Sequence, residues 1–155
     1  MNCDAIEFRE ETATKDDIQA HLEECDRHFS PNLSLKVNIH EYSTKIRTRA
    51  KTFEAWSGKA LVGLVAAYMN DSRTRAGFIT SVSVAKGFIG RGIASALLDR
   101  CLEKSRQEGM KTIRLEVGLE SPEAIRLYKN FGFSETVRQG ETVSMELEIN
   151  DKSRS

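Results

Sequence analysis

The apolar positions of the chain change period several times. Residues 3 to 9 alternate weakly, with Ile6 and Phe8 two apart, which predicts a short first strand. "TATKDDIQAHLEECDRHF" then repeats Ile18, Leu22, Cys25 and Phe29 at helical spacing. It opens on Thr14 as an N-cap, puts Asp16 and Asp17 in the first turn, and stops before Pro31. Residues 31 to 40 fit a loop or a short extended piece. "EYSTKIRTRA" keeps Tyr42, Ile46 and Ala50 on one face among basic residues, and predicts a second, more solvated helix.

From Lys51 the period becomes extended. "KTFEAW" and "ALVGLVAAYMN" flank "SGK", whose Ser57 and Gly58 fit a hairpin turn, and "AGFITSVSV" adds a strand after the polar loop "DSRTR". A helix over about residues 90 to 107 turns Ile93, Leu97, Cys101 and Leu102 inward and stops at Gly109. "KTIRLEVGL" alternates through Ile113, Leu115 and Val117 as a strand. "SPEAIRLYKNF" is a helix with Ser121 as cap, Pro122 at its first position and Gly132 closing it. "TVSMELEI" is the last alternating strand, with a short extended piece before it at about residues 133 to 137.

The order β, α, α, β, β, β, α, β, α, β predicts an α/β fold in which one mixed sheet carries helices on both faces. The strand, helix, strand unit over residues 77 to 119 requires a parallel pair with a right-handed crossover. A length of 155 residues suits one domain, taken as residues 1–150 with a polar tail at 151–155. With 39% apolar residues and 23 basic side chains against 23 acidic ones, nothing points to nucleic acid or a membrane surface.

Cys3, Cys25 and Cys101 stand singly, as reduced thiols of a cytoplasmic protein would, and Cys101 falls on an apolar helical stripe. The acidic N-terminus does not resemble a signal peptide, and no apolar window approaches the ~18 residues of a membrane span. On this cytoplasmic reading the glycosylation matches at Asn32 and Asn70 are chance. His21, His28 and His40 lack metal-ligand spacing, so no metal is expected.

The candidate chemistry gathers in "VAKGFIGRGIASALL", where Gly87, Gly90 and Gly92 lie at the handover from strand to helix. A helix N-terminus offers unpaired N–H groups and partial positive charge, and glycine lets a phosphate approach them closely. The loop lacks the Lys-Ser/Thr ending of a triphosphate-binding loop and the G-x-G-x-x-G order of a dinucleotide fingerprint. Two readings stand at this level: a tight turn alone, or an anion cradle. Arg91 and Lys86 supply charge for the second, and Ala94 and Ser95 keep the first helical turn narrow.

Followed by "SPEAIRLYKNFGF", the stretch resembles the GNAT superfamily of acyl-CoA-dependent N-acetyltransferases, over about residues 50 to 148. The family's pyrophosphate loop, written Arg or Gln, two residues, Gly, one residue, Gly or Ala, falls on Ile89, Gly90, Arg91, Gly92, Ile93 and Ala94. Ile89 thus replaces the customary polar residue and keeps only its backbone N–H. In the second motif Ser121 stands in the place of an Asn, while Ala124, Leu127, Tyr128, Gly132 and Phe133 match.

The resemblance implies a mostly antiparallel sheet of six to seven strands with a parallel, splayed central pair. Acetyl-CoA, as acyl donor, would lie where the strand of residues 78 to 84 parts from that of residues 111 to 119. Backbone groups of Val82 and Val84 would hold the pantetheine arm, with Ser81 and Ser83 pointing to the opposite face. N–H groups of Ile89, Gly90, Arg91, Gly92, Ile93 and Ala94 would hold the pyrophosphate, with Ser121 nearby. Tyr128 would protonate the departing thiolate as a primary amine attacks the thioester directly, with the Val82 N–H serving the oxyanion.

The general base is left between Glu54 and Glu116, each equally readable as a paired or solvent-facing strand residue. Tyr42, Arg47, Phe53 and Trp56 are candidates to line the acceptor pocket, against a packing role for each. The implied partner is a small-molecule or peptide amine, with a second copy of the chain pairing through "TVSMELEI" if that strand is an edge. A non-catalytic CoA-binding or acyl-sensing domain is the competing reading.

Overall fold

The computed structural model of the chain describes residues 5–26 and 32–149. Cys3, His28, Phe29, Pro31 and the tail at 151–155 lie outside them. Strand β1 (Glu7–Glu10) leads to α1 (Lys15–Cys25), which Thr14 opens with a complete capping box: its hydroxyl accepts from the Asp17 N–H, and the Asp17 carboxylate accepts from the Thr14 N–H. A single 3-10 turn at Leu33–Leu35 precedes α2 (Ile39–Arg49), which Asn38 caps. Helix α2 therefore begins two residues ahead of the "EYSTKIRTRA" run, because Asn38 supplies the capping acceptor.

Strands β2 (Lys51–Ser57), β3 (Ala60–Tyr68) and β4 (Ala76–Val84) form an antiparallel meander. After a 3-10 turn at Lys86–Phe88 comes α3 (Ile93–Gln107), then β5 (Thr112–Gly118), α4 (Pro122–Asn130), β6 (Ser134–Gln139) and β7 (Thr142–Glu148). The described strands make one mixed sheet in the order β1-β2-β3-β4-β5-β7-β6. All pairs are antiparallel except β4 with β5. The expected parallel crossover pair is therefore present. "TVSMELEI" is not an edge: β7 lies between β5 and β6, so an exposed last strand gives no ground for a second copy pairing there.

Two apolar layers follow from the alternation of the strands. On one face Phe53, Val65, Ile79, Ile113, Leu115 and Met145 pack against Leu97, Leu98 and Cys101 of α3 and Tyr128 of α4. On the other, Leu61, Leu64 and Ala66 pack against Ile18 and Leu22 of α1 and Ile46 of α2. Among the described residues no helix is long and apolar enough to cross a membrane.

The parallel pair is short. Ala76, Gly77 and Phe78 pair with Thr112, Ile113 and Arg114, and the two strands then part, leaving residues 79 to 84 without a partner on that side. Two glycines allow this join to close tightly. A Cβ on Gly77 would come within 2.6 Å of the Ile113 side chain, and one on Gly63 of β3 within 2.7 Å of Ile93 at the start of α3. Gly63 thus lets the first turn of α3 rest directly on the sheet.

Candidate functional site

The opening between β4 and β5 holds a cavity of about 370 Å³. Val82, Ser83 and Val84 form its strand wall, and Phe88, Ile89, Gly90, Gly92, Ile93, Ala94 and Ser95 its loop and helix wall. Glu123, Ala124, Leu127 and Tyr128 of α4 close the other side. Sequence reasoning brings most of these together in advance. It misses Phe88 and Glu123, for which a lone aromatic and an exposed acid in a first helical turn give no signal.

Helix α3 starts at Ile93, not Gly90, since Gly90 and Gly92 take φ of +88° and +77° and cannot continue a right-handed helix. A Cβ on either would meet nothing within 4 Å. Their place is therefore set by backbone conformation, not by crowding within the protein. Gly92 is the N-cap and makes no side-chain cap bond, so the first N–H groups of a fifteen-residue helix face the opening. Arg91 is exposed; its guanidinium lies 5.0 Å above the Phe88 ring and donates a long 3.4 Å bond to the Gly87 carbonyl. Ile89 is 62% exposed on the rim.

Tyr128 is 6% exposed and packs edge-on against Phe133, with ring centroids 6.0 Å apart. Burial pushes its phenol up to about 12, so the hydroxyl keeps its proton at neutral pH. Helix α4 presents it because Pro122 starts the helix and Gly132, at φ +104°, turns the chain into Phe133. Ser121 occupies the N-cap without a side-chain cap bond and lies outside the cavity wall, which begins at Glu123.

Ser83 has its hydroxyl on the face opposite Val82 and Val84. His21 of α1 reaches it: Nε2 is 2.9 Å from Ser83 Oγ, and Nδ1 is 3.1 Å from the Leu61 carbonyl. A carbonyl only accepts, so Nδ1 carries the proton and Nε2 accepts from Ser83. Burial drives the His21 pKa down to about 4, which keeps the ring neutral. Burial also pushes the thiols of Cys25 and Cys101 up, to about 11 and about 12, so neither is a ready nucleophile. Among the described residues no cluster of three or more His, Cys, Asp or Glu is placed to hold a metal ion.

Several expected acceptor residues do not face a pocket. Phe53 is core, 1% exposed, on the α3 side. Trp56 is core on the α1 side and donates from Nε1 to Glu54 at 3.0 Å. Glu54 is fully buried and accepts from Thr12 N–H and Oγ1, Ala13 N–H, Thr52 Oγ1 and Trp56 Nε1, at 2.6 to 3.1 Å. Burial alone would raise its pKa, but these bonds outweigh it and hold the carboxyl below its ordinary value. Such a carboxylate pins the loop between β1 and α1 and has no lone pair left for an amine. Tyr42 is half-buried and spends its hydroxyl on Thr80 of β4. Arg47 is exposed on α2. Glu116 is exposed on β5, on the sheet face opposite Leu115 and Val117, and makes no ion pair among the described residues.

A parallel pair that parts over a cavity, with a glycine-built helix start on one wall and a buried phenol on the other, is the site that this mixed α/β sheet presents. The sequence model of the acetyltransferase (GNAT) family matches residues 15–133, and the chain belongs to that family. It is 34% identical over 110 residues to the uncharacterized N-acetyltransferase YsnE of Bacillus subtilis, covering 68% of this chain and 72% of that protein. It is 34% identical over 82 residues to N-alpha-acetyltransferase MAK3 of Arabidopsis thaliana, covering 52% of this chain and 43% of that one. The chain spans less than half the length of two of the curated relatives it matches. Among solved structures, the PaiA N-acetyltransferase of Thermoplasma acidophilum in complex with coenzyme A shares the fold, with a TM-score of 0.73, 15% identity, and coverage of 93% of this chain and 99% of that one.

Proposed function

We propose that the chain is an acetyl-CoA-dependent N-acetyltransferase that moves the acetyl group to a primary amine by direct attack on the thioester. The observation that carries this reading is the cavity between β4 and β5, whose wall joins a strand with a free edge, the start of α3 and Tyr128 of α4. Those parts fit the donor: an extended arm along residues 82 to 84, a pyrophosphate at residues 90 to 94, and room above Gly90 and Gly92 for its oxygens. Its place in the family, and a structural neighbour solved with coenzyme A, support the same donor.

The residues then divide the work. Tyr128, protonated throughout the working range, gives its proton to the leaving thiolate sulfur as the C–S bond breaks and the C–N bond forms. The Val82 N–H serves the carbonyl oxygen as it gains charge. Glu54 is saturated and Glu116 lies outside the cavity wall, so the proton of the attacking amine leaves through water. Among the described residues both cysteines, Cys25 and Cys101, are buried and neutral, and neither enters the scheme.

Two measurements test this. Titration calorimetry with acetyl-CoA should show binding at micromolar protein concentration, and thiol release should follow with at least one member of a panel of small primary amines and short peptides. Binding without release on any amine would select the non-catalytic, acyl-sensing alternative, and no binding at all would remove both.

A further inference from the structure

The angle at which β4 leaves β5 is set from outside the cavity. Ala66 of β3 pairs with Ser81 and Ala67 pairs with Ile79, so Thr80 is an extra residue in β4. A bulge of this kind bends its strand and increases the local twist. The bend falls two residues past Phe78, the last residue of β4 paired with β5. It also shifts the alternation: Ile79 before the bulge and Val82 after it both pack on the α3 side, three residues apart rather than two.

A bulged residue loses its place in the ladder, and its polar groups need partners elsewhere. Thr80 finds them in one side chain of α2. Tyr42 donates from its hydroxyl to the Thr80 carbonyl at 2.6 Å, and the same oxygen lies 2.8 Å from Thr80 Oγ1. Helix α2 is itself fixed to the sheet through Ile46, which is fully buried. The hydroxyl is therefore held from a rigid element.

We propose that Tyr42 is a positioning residue of the cleft: by holding the bulged Thr80 it fixes the course of residues 81 to 84, and with it the distance of the Val82 backbone from Tyr128. Burial pushes the Tyr42 phenol up to about 12, so it remains a donor across any working pH. The buried hydroxyl of Tyr68 on β3 lies beside the same threonine, so the test removes both hydroxyls. The kinetic part of the inference rests on the transfer reaction proposed above, while the structural part does not.

The test uses the full chain in three forms: unaltered, Tyr42→Phe, and Tyr42→Phe combined with Tyr68→Phe. Tyr42→Phe keeps the ring and removes only the donor. Amide hydrogen exchange of residues 81 to 84 should rise at least about tenfold while that of β2 is unchanged. Misplacement of the reacting groups by a fraction of an ångström should lower kcat by about ten- to a hundredfold. The Kd for CoA, which draws on both residues 82 to 84 and the α3 start, should rise by a smaller factor than kcat falls. The double variant should match or exceed the single one.

A double variant with unaltered kcat and unaltered exchange at residues 81 to 84 overturns the proposal. So does a parallel loss of CoA affinity, kcat and melting temperature, which is what mere destabilisation gives. If the unaltered protein releases thiol with no amine, the transfer reading falls, and the exchange of residues 81 to 84 alone decides the role of Tyr42.

Discussion

Glu54 is buried with every acceptor direction taken, so replacing it by Gln leaves donors from Thr12, Ala13, Thr52 or Trp56 without a matching oxygen. Glu54→Gln should destabilise the protein by about 2 to 4 kcal/mol in urea unfolding, because a buried charged acceptor is lost while its partners stay. Its folded pKa is depressed, so the stability it gives is present above the unfolded value of 4.5 and is lost as pH falls below that. His21 acts in a higher window. Its pKa falls from 6.5 unfolded to about 4 folded, so the unfolded chain binds the proton first and stability declines as pH drops from 6.5 toward 4, by a total on the order of 3 kcal/mol. Unfolding curves between pH 7 and 4 should show this slope, and His21→Gln should flatten it; a slope unaffected by the substitution would assign it to other groups. Tyr128→Phe removes one oxygen from a packed ring. It should lower kcat about a hundredfold with little change in the Kd for acetyl-CoA, and full retention of kcat would remove the acid role.

At the scale of elements, the cavity depends on how closely α3 meets β3. Gly63→Ala puts a methyl 2.7 Å from Ile93 and 3.2 Å from the Ala55 Cβ, so the first turn of α3 must move away from the sheet. The substitution should destabilise by about 1 to 3 kcal/mol and weaken CoA binding as well, since the displaced turn carries the N–H groups. Gly92→Val forces a β-branched residue into φ +77° and should raise the Kd for CoA at least about tenfold, measured by calorimetry. Normal affinity in both variants would place the phosphate site elsewhere. The elements themselves were largely legible: β4, β5 and α1 fall where the alternation and the Thr14 cap put them, and Tyr128 and the glycine loop share one cavity as their motifs imply. What was hidden depends on distant partners. "FITSVSV" alternates smoothly, and nothing in it marks Thr80 as the extra residue until β3 supplies the register. Glu54 and Glu116 look alike as strand carboxylates, and only the arrival of Thr12 and Ala13 from far along the chain buries one of them. "SETVRQ" carries little apolar alternation because β6 is an edge, so its strand extends beyond the expected piece to Gln139.

Over the whole molecule, the sheet consists of two runs joined at a narrow place. β1 to β4 are linked by antiparallel pairs and backed by α1 and α2, and β5, β7 and β6 form a second set that carries α4. Between them stand the pairs of Ala76, Gly77 and Phe78 with β5, and the packing of α3 and α4 over the shared core. The cavity lies across that join, with Val82 on one run and Tyr128 on the other. A ligand seated there binds the folded state alone and ties the two runs together. At a hundredfold excess over its Kd it should add about 2.7 kcal/mol of stability, which raises the melting temperature of a chain this long by about 5 to 10 °C. The dependence on the ligand's parts is the sharper measurement. CoA and acetyl-CoA reach both walls and should give the full shift, whereas a pantetheine fragment without the pyrophosphate loses the α3 start and should give a small fraction of it. The Gly92→Val protein should respond to acetyl-CoA about as weakly as the unaltered protein responds to pantetheine. Equal shifts with and without the pyrophosphate would mean that the glycine loop only turns the chain.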